Sequence, residues 1–378
     1  MDRLRGLTSI AKGKLLSLAS SKATMVKVIV YLIIGVILIG LVVYINNKLK
    51  LKATDCSNLA ALYPKPPTLS TVSPSSDKHS HSLRDYYIKS SYNSCNPGAV
   101  KNAYVDLCAL DNAIAQGCRF LDFAVYSIGG KACVASSASN SFDVKSTYNS
   151  IPINEVLKRV HDRAFSGAYC TNSGDPLMLH FRIMSAHPHV ADDIASSIAS
   201  NLGSRTLGKK YSNQYGGQNL GALPLETFMG KVIICVDRSN DVFRGTKLDE
   251  WINICSGTPF MRGLRFSDVK FSHDTNELTE FNKKNMSIVM PDKTDQIVNP
   301  NSAICMHYGC QLTAMAMQKE SATLSSYNEL FNKEGYAFIL KPENLRYKPV
   351  TVNIPAPPPE SYSYAERQTK TDYYSFTI

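Results

Sequence analysis

The stretch Tyr86 to Asn93, YYIKSSYN, is where a polar, proline-bearing segment gives way to short apolar strands separated by helix-length stretches. The segments after it read as partners in a single barrel, and the end of this strand is expected to line the barrel's mouth. Val105, Leu107, Leu110 and Ile114 recur at helical spacing, and Gly117 ends that helix ahead of a strand from Cys118 to Val125. Val156, Leu157, Val160 and Ala164 mark a second helix, followed by a strand from Pro176 to Phe181. A third helix carries Val190, Ile194, Ile198 and Leu202, and Lys231 to Val236 is the next strand. After a polar insertion, Lys284 to Pro291, Tyr308 to Met317 and Tyr336 to Leu340 continue the strands. Alternation of this kind favours a largely parallel sheet. No internal repeat is present.

Six motifs in this order resemble the catalytic barrel of phosphoinositide-specific phospholipase C. They are YYIKSSYNS, AIAQGCRFLDF, DPLMLHF and LETFMGKVIICV, then YGCQLTAMAMQ and GYAFILKPENLR, together spanning roughly Tyr86 to Arg346. The resemblance implies an α/β fold, a distorted (β/α)8 TIM-type barrel over residues 86–348. Its X half would be 86–240 and its Y half 255–348. The family cleaves a phosphodiester by general acid–base catalysis, with two histidines and a calcium ion held by Asn, Glu and Asp ligands.

Carried onto this chain, the resemblance keeps the scaffold and loses the site. The first histidine falls on Tyr92, a phenol with an ordinary pKa of about 10 and a poor base near neutrality. The second falls on Ala135. Of the calcium ligands Asn93 remains and Asp122 replaces a glutamate, while the next acid becomes Ala124 and the last becomes Arg182. Two acids lost and a cation gained predict that no calcium, and no other cofactor, is held, since that ion takes hard oxygen ligands. Lysines expected after the closing strand of the X half align with Cys235 and Asp237, and the serine-bearing loop of the Y half reads Gln296 to Pro300.

Other constellations are weaker. Arg182 beside Asp122 fits anion binding, as bacterial relatives of that family use an arginine in a metal-free site; a structural salt bridge in the mouth is the plainer alternative. His180 and Arg182 share one face of their strand, whereas His187 and His189 flank Pro188 in a loop, so these histidines do not read as a metal set. Tyr92 as a nucleophile lacks a partnered base. Ligand-binding candidates are therefore Asn93, Asp122 and Arg182.

Ahead of the barrel, Val28 to Ile45 is an uncharged run, VIVYLIIGVILIGLVVYI, which at 1.5 Å per residue gives about 27 Å and can span a bilayer core. A transmembrane helix over 25–46 follows. A cleaved signal peptide would show a shorter apolar stretch and a small-residue cleavage site, where Asn46-Asn47-Lys48 stands instead. Arg3, Arg5, Lys12, Lys14, Lys22 and Lys27 precede the run, so the N-terminus is expected in the cytoplasm and the barrel in an extracellular or lumenal space. Residues 1–24 read as a basic juxtamembrane segment, lying on anionic lipid or disordered. Residues 47–85, with Pro64, Pro66, Pro67 and Pro74, read as an extended stalk without a core, and His79 and His81 as solvated linker residues. Residues 349–378 read as a Pro/Tyr-rich, poorly ordered tail.

The net charge of +10 lies mostly before residue 55 and points to anionic head groups; no nucleic-acid motif accompanies it. All ten cysteines follow the apolar run, yet their spacing gives no disulfide framework, and Cys305 and Cys310 read as core thiols. Asn285-Met286-Ser287 is the only glycosylation sequon. The expectation is a membrane-anchored, catalytically inactive barrel that serves as a binding or structural module, with protein partners taken by its surface or tail. The alternative is a phosphoric diester hydrolase with a rearranged metal-free site around Arg182, Asp122 and Asn93. The basic start, single span and Cys56 to Tyr63 turn also resemble membrane proteins of large DNA-virus particles, which gives virion membrane as an alternative location.

Overall fold

The computed structural model describes residues 22–139, 141–349 and 365–378, and contacts divide the chain into one unit ending at Arg346 and a second, Tyr347–Ile378. The expected basic segment lies outside the described residues up to position 21.

Helix α1, Lys22–Leu62, contains the whole apolar run and continues well beyond the expected end at 46. Nothing between Ile45 and Leu62 breaks it: Asn46, Asn47 and the Lys-Leu-Lys-Leu-Lys stretch lack glycine and proline, and Pro64 stops it. The apolar window has none of its residues buried against protein, as a lipid-facing helix would.

Eight strands run parallel around a nearly closed barrel: β1 (Tyr86–Ser91), β2 (Phe120–Ile128), β5 (Leu177–Ile183), β6 (Val232–Asp237), β7 (Ile254–Ser256), β8 (Met261–Arg265), β9 (Met286–Met290) and β10 (Leu312–Met315). The ring is unladdered only between β7 and β8, where Thr258 and Met261 form an isolated bridge. Strands β7 and β8 lie within the stretch that reads as a polar insertion; they are short, and their apolar positions are too few to stand out. Strand β11 (Phe338–Leu340), expected as a barrel strand, instead pairs antiparallel with the outer part of β1. A hairpin of β3 (Lys131–Ala135) and β4 (Ile151–Pro152) is attached to β2.

Each strand sends alternate side chains inward and outward. Leu121, Phe123, Leu179, Phe181, Ile234 and Val236 face outward into one core with the helices α2 (Leu107–Ala115), α3 (Ile153–Ala164) and α4 (His189–Leu202). Tyr86, Ile88, Phe120, Met178, Ile233, Met286 and Leu312 face inward and fill the lower barrel. Helices α5 (Thr275–Lys284) and α6 (Ala322–Glu334) cover the remaining side, and α6 closes on Gly335 in the left-handed conformation.

Residues 63–85 are no extended stalk. Leu69, Val72 and Leu83 are buried with the inward-facing residues, so this segment seals the N-terminal end of the barrel as a strap. The Val72 N–H donates to Asp175 Oδ1 at 2.8 Å and the Ser70 N–H to the Gly335 carbonyl at 2.8 Å. A Cβ at Gly117 (φ +77°) would lie 2.5 Å from Leu69 Cδ1, so the glycine both ends α2 and admits the strap. His79 is buried too, its ring 4.6 Å from that of Tyr336, rather than solvated. Three buried apolar residues among many prolines and serines carry no period, which hides a strap of this kind in the sequence.

Cys56 near the end of α1 is joined to Cys108 at the start of α2, a pairing that the spacing did not announce. The other eight cysteines, Cys305 and Cys310 among them, are buried free thiols. In the second unit, β12 (Gln368–Lys370) and β13 (Ser375–Thr377) form an antiparallel hairpin where a poorly ordered tail is expected.

Candidate functional site

The inward positions one layer above the apolar filling are Asp122 on β2 and His180 on β5, which are register partners, with Ser256 on β7. All three are fully buried. His180 Nδ1 lies 2.8 Å from Asp122 Oδ1, and its Nε2 lies 3.0 Å from Ser256 Oγ. Because a carboxylate only accepts, Nδ1 carries the hydrogen, and in the neutral ring Nε2 accepts from the serine hydroxyl. Phe120 stacks on the imidazole at 5.5 Å and fixes its plane.

Arg182 stands above, two residues further along β5. Its Nε donates to Asp122 Oδ1 at 2.9 Å, and its Nη2 donates to Asp122 Oδ2 at 2.8 Å and to Asn93 Oδ1. The Asn93 N–H donates to Asp122 Oδ2 at 3.0 Å. Asn93 holds a left-handed conformation (φ 45°), which turns its amide and side chain back onto this pair; asparagine tolerates that conformation better than most residues. Burial alone would push the Asp122 carboxyl up, but the charge of Arg182 and the hydrogen bonds from His180 and Arg182 hold it well below the usual carboxylate range. Burial likewise opposes the charge on Arg182, and Asp122 more than restores it.

The other sequence candidates fall around this pair. Tyr92, buried, places its ring 5.0 Å from the Arg182 guanidinium carbon, a cation–π contact. Ala124 and Ala135 are register partners across β2 and β3, and both line a crevice with Asn93 and Cys95 that is too narrow for a water molecule. His187 and His189 stack on each other at 5.5 Å, apart from His180, which is spent on Asp122 and Ser256. Among the described residues one group of acids and thiols has metal-binding spacing, Cys56, Asp106 and Cys108, and its two thiols are joined as the disulfide.

Above Arg182 the barrel opens into a cavity of about 390 Å³ at the C-terminal ends of the strands. Phe142, Arg182, Met184, Asp237, Arg265, Met290 and Lys293 are among its lining residues. Arg265 donates from Nη1 to the Pro291 carbonyl at 2.9 Å, which holds the loop bearing Lys293 over the mouth. Partial burial, then the neighbouring cations Arg182 and Arg265, push the Lys293 ammonium down to about 8. A lysine depressed by like charges marks a region crowded with cations.

Against solved structures, the chain resembles PLC21 from S. officinalis over 70% of its length, with a TM-score of 0.58 at 16% identity. It is similar to PLC21 from L. pealei over the same share, with a TM-score of 0.57 at 16% identity. The fold is that of a phospholipase C barrel. A calcium-dependent phosphatidylinositol-specific phospholipase C from Streptomyces antibioticus also matches, over 69% of this chain and 99% of its own, at a TM-score of 0.44 and 10% identity. The phospholipase C-like chain spans 38% of each PLC21 chain. No family model and no curated protein matches the sequence.

In this phospholipase C-like barrel the fold brings Tyr92, Asn93, Asp122 and Arg182 into contact and leaves Ala135 against a filled crevice. Ser256, Arg265, Lys293 and Phe142 were not foreseen. The first two sit on the unrecognised strands β7 and β8, and the last two on loops that carry no motif.

Proposed function

We propose that this chain is a single-pass membrane protein whose phospholipase C-like barrel holds a phosphate-bearing lipid head group without cleaving it. The observation that carries this is the occupied state of Asp122. Its carboxylate accepts four hydrogen bonds, from His180, from Arg182 twice and from the Asn93 amide, which uses all of its roughly four acceptor sites. Asn93 Oδ1 is engaged by the same guanidinium. The donor set that a calcium ion would need is thus already spent on a cation belonging to the chain, and these residues do not fit that ion. With Tyr92 and Ala135 at the two histidine positions, no imidazole reaches the cavity from either place. What remains is a pocket with Arg182, Arg265 and Lys293 facing a single acid, Asp237, which suits a phosphate or phosphodiester anion.

The apolar run of α1 supports anchoring in a membrane, and the Cys56–Cys108 bond supports a barrel on the oxidising side of it, with the N-terminus in the cytoplasm. The test uses the full-length protein in detergent. Soluble inositol phosphates and phosphatidylinositol vesicles are expected to bind, with affinity reduced about tenfold each by Arg265→Ala and Lys293→Ala. No release of diacylglycerol or glycerophosphate is expected with or without calcium. Turnover abolished by Arg182→Ala would overturn the reading.

A second reading, a phosphoric diester hydrolase with a rearranged metal-free site, is favoured by one arrangement. Asp122, His180 and Ser256 stand in the order of a carboxylate, a base and a hydroxyl, at distances fit for proton transfer. All three are sealed beneath Arg182, which is why binding is preferred. Loss of any residual hydrolysis on His180→Gln, with head-group binding retained, would favour the enzyme.

A further inference from the structure

A second cavity, of about 580 Å³, lies at the end of the barrel opposite the mouth. Asn253, just ahead of β7, and Thr206, bridged to Val232 at the start of β6, place it at the N-terminal ends of those strands. Lys209, Ser212, Asn213, Glu250 and Trp251 also line it. Among the described residues none of these five side chains has a hydrogen-bond or ion-pair partner, although Lys209 and Glu250 carry opposite charges.

Part of the wall is built in a backbone conformation that its sequence does not favour. Asn213 to Gly217 run left-handed, five residues in succession with φ between 50° and 76°. L-residues adopt that conformation singly, and Asn and Gly bear it best, so Gln214 and Tyr215 hold it against their local preference. The surroundings impose it. The Gln214 N–H donates to the Ile252 carbonyl at 2.8 Å. Buried Asn253 donates from Nδ2 to the Tyr211 carbonyl at 2.9 Å and accepts from the Ile234 N–H at 2.8 Å. The rings of Tyr211 and Tyr215, 5.3 Å apart, pack with Leu207 on the inward-facing core. Disfavoured backbone that is over-determined in this way clusters at ligand clamps, and here it fixes Ser212 and Asn213 in the wall they share with Trp251.

The lining differs in chemistry from the mouth. One cation and one acid balance, so the cavity does not select a net anion. A hydroxyl, an amide, a carboxylate and an ammonium set donors beside acceptors, which suits the neighbouring hydroxyls of a polyol, each able to donate and accept. Trp251, partly buried, adds an indole N–H and an apolar ring face on which the C–H face of a sugar ring can lie. The volume is in the ordinary range for a small-molecule site. We propose that this cavity is a saccharide-binding site, taking a neutral mono- or disaccharide independently of the anion-binding mouth.

Trp251 is the only tryptophan and reports on the site directly. Full-length protein in a detergent without a sugar head group is titrated with glucose, galactose, mannose, N-acetylglucosamine and their disaccharides, following indole emission and saturation-transfer NMR of the sugar. A saturable response to at least one sugar is expected, unchanged by saturating inositol hexakisphosphate and weakened about tenfold by Glu250→Gln and by Asn213→Gly. Asn213→Gly removes the amide at a position whose backbone suits glycine, and Glu250 is exposed, so both variants should fold. No response by either method to any of these sugars overturns the proposal. So does a response that both variants retain in full, which would place the sugar elsewhere, or one that the inositol phosphate abolishes, which would place it in the mouth.

Discussion

Arg182 occupies the middle of the mouth as a permanent cation, and its loss has a calculable cost. Arg182→Ala leaves the Asp122 carboxylate buried with one ion partner removed, which should lower stability by about 3–5 kcal/mol in denaturant melts. Arg182→Lys should recover little, because an ammonium cannot supply the paired donors that now reach both carboxylate oxygens. Lys293 gives a pH signature. Its ammonium is pushed down to about 8 by burial and the neighbouring cations, and a bound anion would raise that value, so anion affinity should be full below pH 8 and fall above it in calorimetric titrations. Lys89 is a different case: buried on the outward face of β1, with Nζ lacking any hydrogen-bond partner and pushed by burial down to about 8. Its unfolded value is about 10.4, so the wild type is destabilised in full below pH 8 and recovers as pH rises toward 10.4. Lys89→Met should therefore stabilise the protein by a few kcal/mol at pH 7, and thermal melts should show the gain shrinking above pH 8. The Asp122–Arg182 pairing was legible in the sequence because a strand of period two puts His180 and Arg182 on one face opposite Asp122. The saturation of Asp122 was not legible, since it depends on the backbone turn at Asn93.

Among the elements, the strap over 63–85 is where sequence and structure part furthest. Proline and serine density reads as a linker, and that composition does describe its lack of regular hydrogen bonding; what it misses is that Leu69, Val72 and Leu83 suffice to close a barrel end. Leu69→Ala should cost about 2–5 kcal/mol, as for any fully buried leucine, whereas a true stalk would show no change. Limited proteolysis should likewise spare residues 69–83. Strands β7 and β8 escaped for the opposite reason. They are three and five residues long and flank the one seam of the sheet, so they carry too little pattern to be read, although Ser256 completes the buried polar layer and Gly263 and Arg265 line the mouth. The long parallel strands β2, β5 and β6 were legible within two or three residues, because strands covered on both faces run nearly continuously apolar.

For the molecule as a whole, the six ordered motifs conveyed the barrel, and the resemblance, rather than periodicity, supplied the expectation of eight strands. The disulfide at Cys56 and Cys108 closes a 52-residue loop and should contribute about 4 kcal/mol, which thiol reduction would remove. The strap adds a matter of timing. A chain that is delivered across a membrane from its N-terminal end exposes Cys56 and Cys108 to oxidation when little more than α2 has emerged. Ser70, by contrast, donates to the carbonyl of Gly335, and that partner is among the last parts of the barrel to arrive. In a chain so delivered, the lower end of the barrel would stay open, with Leu69, Val72, Phe120 and Met178 unshielded, and would shut only when α6 had passed. Chains halted short of residue 335 should carry the disulfide on non-reducing gels yet recruit lumenal or periplasmic chaperones, while full-length chains should release them.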